Sequence, residues 1–466
     1  MVGPQATLVG VSSADREVGA LLGTAIRIDG RAHETERSMK EDALASLADE
    51  PLGWQAKGFP VDGRAATLEA LRSARLSLFD DGFMTPIATL RGDALDRNIA
   101  QMSAFCRKHD VDLAPHGKTT MAPQLFERQI AAGAWGITVA TPWQALVCLE
   151  FGVERVLLAN EIVDPVGIAE LSRALDRDEN FELLSYVDDA GAVAHAAEVM
   201  AGIGSRRPLD VVVEVGAYGG RTGCRDDAAV DEVVDAVQRS PSHRLAGVAS
   251  YEGLIGDDDS APVMAELKEF LGRQRRTAER LATEGRFDDA RPVVLTAGGS
   301  QFFDVVVAEL SGDLPGEYRA HVILRSGGYA IHDDTLYGEV SPFTREPEFG
   351  GPLEAAVEVW TRVLSRPERG LALLDAGRRD LPFDSGMPRA RRVRRGGRMA
   401  AADAGWLVRD MNDQHAYLEI ADGVELSPGD LVSLSISHPC TLFDKWKWLA
   451  VTTDEDVVVD AVRTYF

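Results

Sequence analysis

Along most of its length the chain alternates short, β-branched apolar runs with longer amphipathic segments. The runs are VDLAPHGK (111–118), WGITVAT (135–141), RVLLANE (155–161), ELLSYVD (182–188), DVVVEVG (210–216), LAGVASYEG (245–253), PVVLTAGG (292–299) and HVILRSGG (321–328). Between them lie segments with helical periodicity, such as PQLFERQIAAG, PWQALVCLEFG and AELKEFLGRQRRTAERLATEG. Apolar strands separated by helices mark parallel βα units, because such strands are buried on both faces. Eight runs is the number that a closed (β/α)8 barrel of the TIM type requires. An open doubly wound sheet is the alternative, but no GxGxxG turn follows the first run to support it.

From about Pro352 the rhythm changes. LEAAVEVWTRVLS, GLALLDAG, DAGWLVRDMND, HAYLEI and DLVSLSISHPC read as strands without long helices between them, and turns such as LSPGD mark the hairpins. The pattern predicts four regions. Residues 1–55 form an extension without sustained periodicity, partly ordered at best. Residues 56–95 are a lead-in whose strand near Pro86–Arg91 joins the β domain. The barrel occupies 96–344, and an all-β C-terminal domain occupies 345–466.

Charge narrows the function classes. The 466 residues include 49 basic and 74 acidic side chains, a net charge of −25. Nucleic acids and anionic membranes bind clustered positive charge, so neither is an expected partner. The exception, PRARRVRRGGR from Pro388 to Arg398, is expected to be an exposed loop rather than a phosphate-recognition patch. Four cysteines (Cys106, Cys148, Cys224 and Cys440) do not make a disulfide framework in so long a chain. No basic segment with an apolar run follows Met1, and no run of 18 apolar residues is present. The expectation is a cytoplasmic protein.

In such a barrel, reactive groups gather where strands end. The first strand end offers His116 and Lys118, the fifth Arg221, the sixth Tyr251 and Glu252. The seventh gives Gly298, Gly299 and Ser300, and the eighth Arg325, Gly327, Gly328 and Tyr329. Thr120 is a candidate cap and Pro123 a first-turn residue for the helix after Lys118. A lysine at a helix start beside other cations has its amine pKa pushed down, and a neutral amine attacks carbonyls to form a Schiff base. A solvated surface lysine is the ordinary alternative. The two glycine pairs, TAGGS and RSGG, leave backbone N–H groups to face an anion where barrels often hold a phosphate. Phosphate plus Schiff-base lysine points to pyridoxal 5′-phosphate (PLP). By period two, Val432, Leu434, Ile436, His438 and Cys440 share one face of a strand, so His438 and Cys440 make half of a plausible zinc site. A buried His and a buried free Cys are the competing reading, and His415 is a possible neighbour.

Together these pieces resemble a known family. PHGKTT is similar to the PHxKT segment around the PLP lysine of D-threonine aldolases and eukaryotic-type D-serine dehydratases, and SHPCTLFDKW to the zinc-binding segment of the dehydratases. SYEGL, TAGGS, RSGGY and LLDAG follow in the family's order, so the resemblance spans roughly 86–445. It implies an alanine racemase-like barrel with a C-terminal β domain (fold type III), a Schiff-base lysine at Lys118, and zinc on His438 and Cys440. It further implies phosphate contacts from Gly298, Gly299, Ser300, Gly327 and Gly328, with Arg221, Tyr251 and Tyr329 around the ring. D-threonine aldolases carry an acid where this chain has Cys440, which favours the zinc-dependent dehydratase branch. The implied activity is a lyase on a D-β-hydroxy amino acid, giving a 2-oxo acid and ammonia in a homodimer. Retro-aldol cleavage is the first alternative; racemisation and non-catalytic PLP binding are more distant ones.

Overall fold

The computed structural model describes residues 39–288, 290–333 and 335–466. Within 39–55, Glu41–Ser46 is helical, and Met39, Leu47 and Leu52 are buried. Two strands precede the barrel: β1 (Leu76–Ser77) and β2 (Ile87–Arg91). The barrel strands are β3 (Asp112–Leu113), β4 (Ile137–Val139), β5 (Arg155–Glu161), β6 (Glu182–Val187), β7 (Leu209–Glu214), β8 (His243–Ala249), β9 (Val293–Ala297) and β10 (Ala320–Leu324). All neighbours pair in parallel, in the order β3-β10-β9-β8-β7-β6-β5-β4. The ring closes because the chain just after β3 pairs with β4: the Thr138 N–H donates to the Pro115 carbonyl at 2.9 Å, and His116 bridges to Thr138.

Each barrel strand alternates its side chains between two apolar environments, as period two requires. One face looks inward, where Ala114, Leu157, Leu184, Tyr186, Val212, Ala249, Val294 and Ile323 fill the barrel axis. The other packs under the surrounding helices, for instance Val156, Leu158, Leu183, Val211 and Val213. Both sets are nearly solvent-free, which explains why these strands read as continuous apolar runs. Burial stabilises by about 1.5–3 kcal/mol per large aliphatic side chain, so it is this double-faced core that holds the barrel shut.

The C-terminal strands are β11 (Val357–Glu368), β12 (Leu371–Leu374), β13 (Ala390–Arg395), β14 (Arg398–Ala401), β15 (Leu407–Met411), β16 (Ala416–Glu419), β17 (Leu431–Leu434), β18 (Trp448–Thr452) and β19 (Val457–Arg463). With β1 and β2 they form a mixed sheet. The lead-in strand β2 lies inside it, antiparallel to β11 and parallel to β18.

The arginine-rich segment corrects the sequence expectation. It is not a loop but the β13–β14 hairpin, turned by Gly396 and Gly397. Arg392 reaches Glu358 and Asp456, both at 2.8 Å, and Arg394 reaches Asp80 at 3.0 Å. These cations are paired by carboxylates distant in sequence, which a local reading cannot see.

Candidate active site

The segment after β3 makes a single 3-10 turn, Gly117–Thr119, with Lys118 at its centre. The turn is tightly held. A Cβ on Gly117 would lie 2.8 Å from Ile137 and 2.9 Å from Phe126, and a Cβ on Gly327 would lie 2.5 Å from the His116 carbonyl and 2.8 Å from Thr119 Oγ1. The loop after β10 therefore rests directly on the lysine turn, an approach only glycine permits. The following helix, Pro123–Ala131, has Ala122 at its N-cap with no side-chain hydrogen bond and Pro123 in its first turn. Thr120 is thus not the cap.

Burial lowers the Lys118 amine below its ordinary value; the guanidinium groups of Arg221 and Arg325 push the same way, and Cys440 opposes them. Desolvation, more than any helix start, favours the neutral amine here. Beside it, His116 is held well below its usual range by burial and by the charges of Lys118 and Arg325, so the ring is neutral. Its Nδ1 is buried without a partner.

Arg325 is fixed more rigidly than the sequence suggested. It is 2% exposed, donates to Thr296 Oγ1 at 2.8 Å and to the Ser250 carbonyl at 2.7 Å, and sits over the Tyr186 ring. Arg221 stacks on Tyr251, with its guanidinium 4.7 Å from the ring centre. The glycine pair after β9 departs from expectation: Glu252, fully buried, accepts the N–H groups of Gly298 at 2.8 Å and Gly299 at 2.6 Å. Those donors are already used. Ser300 differs, since its Oγ accepts from Gly328 N–H at 3.2 Å and keeps its own hydroxyl proton to give. The adjacent Gln301 has its Nε2 buried and unpartnered.

The tyrosine after β10 also needs correcting. Tyr329 is 2% exposed, and its hydroxyl accepts from Gln129 Nε2 at 3.1 Å, among the helices outside the barrel. It does not face the lysine. Tyr337 stands nearer the site: its ring lies against Gly328, and burial together with Cys440 and Tyr251 raises its phenol.

His438 and Cys440 come together, though not through strand pleating. Strand β17 ends at Leu434, and Pro439–Thr441 forms a 3-10 turn that brings thiol and imidazole into hydrogen-bond contact. Cys440 Sγ lies 3.2 Å from Thr119 Oγ1, so this pair sits beside the Lys118 turn of the same chain. Asp384 Oδ2 meets His438 Nδ1 at 2.6 Å, and Thr441 donates to Oδ1 at 2.7 Å. His438 is raised to about 9, chiefly by its hydrogen bond to Cys440. Burial alone would push the Cys440 thiol up, but the contacts with His438 and Thr119 and the charge of Lys118 turn the balance and lower it. A carboxylate on the far ring nitrogen is the usual orienting partner of a metal-binding histidine. The sequence suggested His415 for this neighbourhood; it lies exposed on the β15–β16 hairpin, and Asp384 is the neighbour instead.

One further cluster escaped the sequence reading. Carboxylate oxygens of Glu161, Asp188 and Glu214, from the ends of three successive barrel strands, lie within 4.8 Å of one another. Burial and the other two carboxylates raise Glu161 to about 8.

Similarity to known proteins follows the same two-part division. The family described as "Alanine racemase, N-terminal domain" matches residues 90–301, and that described as "Putative serine dehydratase domain" matches 356–452. The chain is 27% identical to D-threonine aldolase of an Arthrobacter species over 374 residues, covering 79% of this chain and 89% of the relative. It is 26% identical to D-threo-3-hydroxyaspartate dehydratase of Delftia sp. (strain HT23) over 352 residues, covering 73% and 84%. The crystal structure of D-threonine aldolase from Filomicrobium marinum superposes with a TM-score of 0.67 at 25% identity, covering 82% of this chain and 95% of that one. No helix among the described residues is long and apolar enough to cross a membrane. In its architecture the chain has the alanine racemase-like fold (fold type III), its barrel matching the alanine racemase N-terminal family and its β domain the serine dehydratase family.

Proposed function

We propose that the chain is a lyase acting on a small D-β-hydroxy amino acid, with PLP carried by Lys118 and a zinc ion by His438 and Cys440. The observation that carries this reading is the contact between two chemistries: a desolvated amine and a thiol–imidazole pair, joined through Thr119. The residues suit both groups. The lowered amine is the form that attacks a carbonyl. The Ser300 hydroxyl, the orphaned Gln301 Nε2 and the Gly327 N–H are the donors for a phosphate, while Gly328 holds Ser300 in place through its own N–H. Gly298 and Gly299 act indirectly, by fixing the loop through Glu252. The nitrogen and soft sulfur of His438 and Cys440 suit zinc, and Asp384 holds the imidazole in one tautomer.

When bound, PLP supplies a sink for the electrons of the α-carbon and zinc a Lewis acid for the β-hydroxyl. The chain's own tasks follow from its geometry. Lys118 Nζ, its amine lowered by burial, takes up the α-proton. Arg325 cannot swing away, because two neutral oxygens hold it. Tyr251 and Tyr337 wall the site, and Arg221, exposed and stacked on Tyr251, offers its guanidinium to a substrate carboxylate.

Loss of water from such a substrate ends in a 2-oxo acid and ammonia. Cleavage between its α and β carbons gives glycine and an aldehyde. The second outcome has its own support, since relatives at 27% and 26% identity are a D-threonine aldolase and 3-hydroxy-D-aspartate aldolases. Incubating the purified protein with a panel of D-3-hydroxy amino acids, reading ammonia and aldehyde in parallel, separates the two. Ammonia that disappears on complete chelation of metal supports the dehydratase; aldehyde with glycine overturns it in favour of the aldolase. By the family resemblance the working form is a homodimer, which light scattering after gel filtration measures.

A further inference from the structure

Strands β5, β6 and β7 each place a carboxylate at the mouth of the barrel. Leu157, Leu184, Tyr186 and Val212 belong to the packed interior, with Ala159 beside them. Glu161, Asp188 and Glu214 each stand two residues beyond an inward-facing position, so period two turns them toward the same axis. Their oxygens lie within 4.8 Å of one another. Both oxygens of Glu161 and Oε2 of Glu214 are buried with no partner outside the cluster, and a protonated Glu161 is within hydrogen-bond reach of Glu214. Asp188 spends one oxygen on the Gly223 N–H, at 2.8 Å. Among the described residues, none of the three forms an ion pair with Lys, Arg or His.

A second observation comes from below the cluster. Tyr186 is 3% exposed and pairs in register with Glu161, and its hydroxyl is buried with no partner. Both residues face inward from paired positions, so the phenol stands beside Glu161, with the Arg325 guanidinium over its ring. Two like charges ~4 Å apart repel by roughly 4 kcal/mol at an effective dielectric of about 20. The cluster relieves part of this repulsion by keeping Glu161 protonated near neutrality, and a divalent cation at its centre would displace that proton.

We infer that Glu161, Asp188 and Glu214 form a second metal site, for a hard divalent cation of the Mg2+ or Mn2+ type, with the Tyr186 oxygen at its base. The donors are all oxygen, which selects hard cations over zinc. A 4.8 Å limit on ligand separation suits a central ion, because metal–oxygen bonds of about 2.0–2.4 Å place opposite ligands no further apart than that. The site shares no residue with the His438–Cys440 pair. A bound dication would also change the mouth from acidic to near neutral, making it accept the carboxylate of an amino acid.

The test reads metal binding and not activity, so it stands apart from the reaction proposed above. Chelator-treated, PLP-loaded full chain is titrated with Mn2+, and free Mn2+ is followed by electron paramagnetic resonance. Cys440→Ala should bind one Mn2+ per chain and wild type at least one, while Glu161→Gln and Glu214→Gln, each made in the Cys440→Ala background, should weaken that binding at least about tenfold. Mn2+ should also raise the unfolding temperature of Cys440→Ala, which guards against loss of folding in the glutamine variants. The inference is overturned if wild type binds no Mn2+, if Cys440→Ala alone abolishes binding, if both glutamine variants bind as Cys440→Ala does, or if Cys440→Ala shows no thermal shift.

Discussion

The arginines of the β13–β14 hairpin and the carboxylates at the ends of β5, β6 and β7 are both clusters of like charge, and they are built in opposite ways. Arg391, Arg392 and Arg394 stand close together in sequence, and carboxylates from distant segments pair with them: Glu358, Asp456 and Asp80. Glu161, Asp188 and Glu214 are 27 and 26 residues apart in sequence, assembled only by barrel closure, and carry no ion pair among the described residues. The conspicuous run of charge is structural. The inconspicuous one remains open to a ligand. A charge run in sequence shows where like charges sit, not whether the fold has already answered them.

The largest expected effect lies at the lysine turn, where the fold leaves one amine desolvated. Lys118→Ala should lower turnover by at least about a thousandfold and abolish the absorbance of the PLP-bound protein near the visible edge. A variant that keeps that chromophore would break the assignment. Next is the paired cluster. Glu358 is 2% exposed, so Arg392→Ala leaves a buried carboxylate short of a partner and should destabilise the fold by about 3 kcal/mol in urea titrations. A loss under 1 kcal/mol would mean that Arg391 takes its place.

Two buried neutral histidines extend the comparison to pH. Burial lowers His243 and His332 to about 4, below their unfolded value. The unfolded chain therefore binds more protons in this window, and stability is complete above about pH 6.5 and lost as pH falls through about 4. Urea unfolding at pH 7 and pH 4.5 should show this decline, and His332→Gln should reduce it. A smaller effect is expected at the orienting carboxylate: Asp384→Asn should weaken zinc binding by about 10–100-fold without lowering the urea midpoint. Smallest is Arg394→Ala, whose partner Asp80 is exposed; a change of about 0.2–1 kcal/mol that shrinks in high salt is expected from denaturation with and without 0.5 M NaCl, on the order of a Debye length below 5 Å.

Much of the barrel was legible because burial on both faces writes itself into continuous apolar runs, and all eight fall on barrel strands. The placing of Lys118 just after a barrel strand was also legible. Its neighbours were less so. Tyr329 and Tyr337 stand eight residues apart after the same strand, and nothing local says that the first turns outward to Gln129 while the second faces Gly328. Gly298 and Gly299 looked like free donors, and only the fold shows Glu252 in front of them. Asp384 is 54 residues from His438 and carries no motif.

By itself, then, the sequence determined the repeating βα units, the β domain, and the residue types at strand ends, since periodicity and burial are properties of short segments. Tertiary structure decided which of those groups already have partners and which remain open. That depends on contacts between segments tens to hundreds of residues apart, as between Thr119 and Cys440, and loop paths set those contacts without leaving a periodic trace.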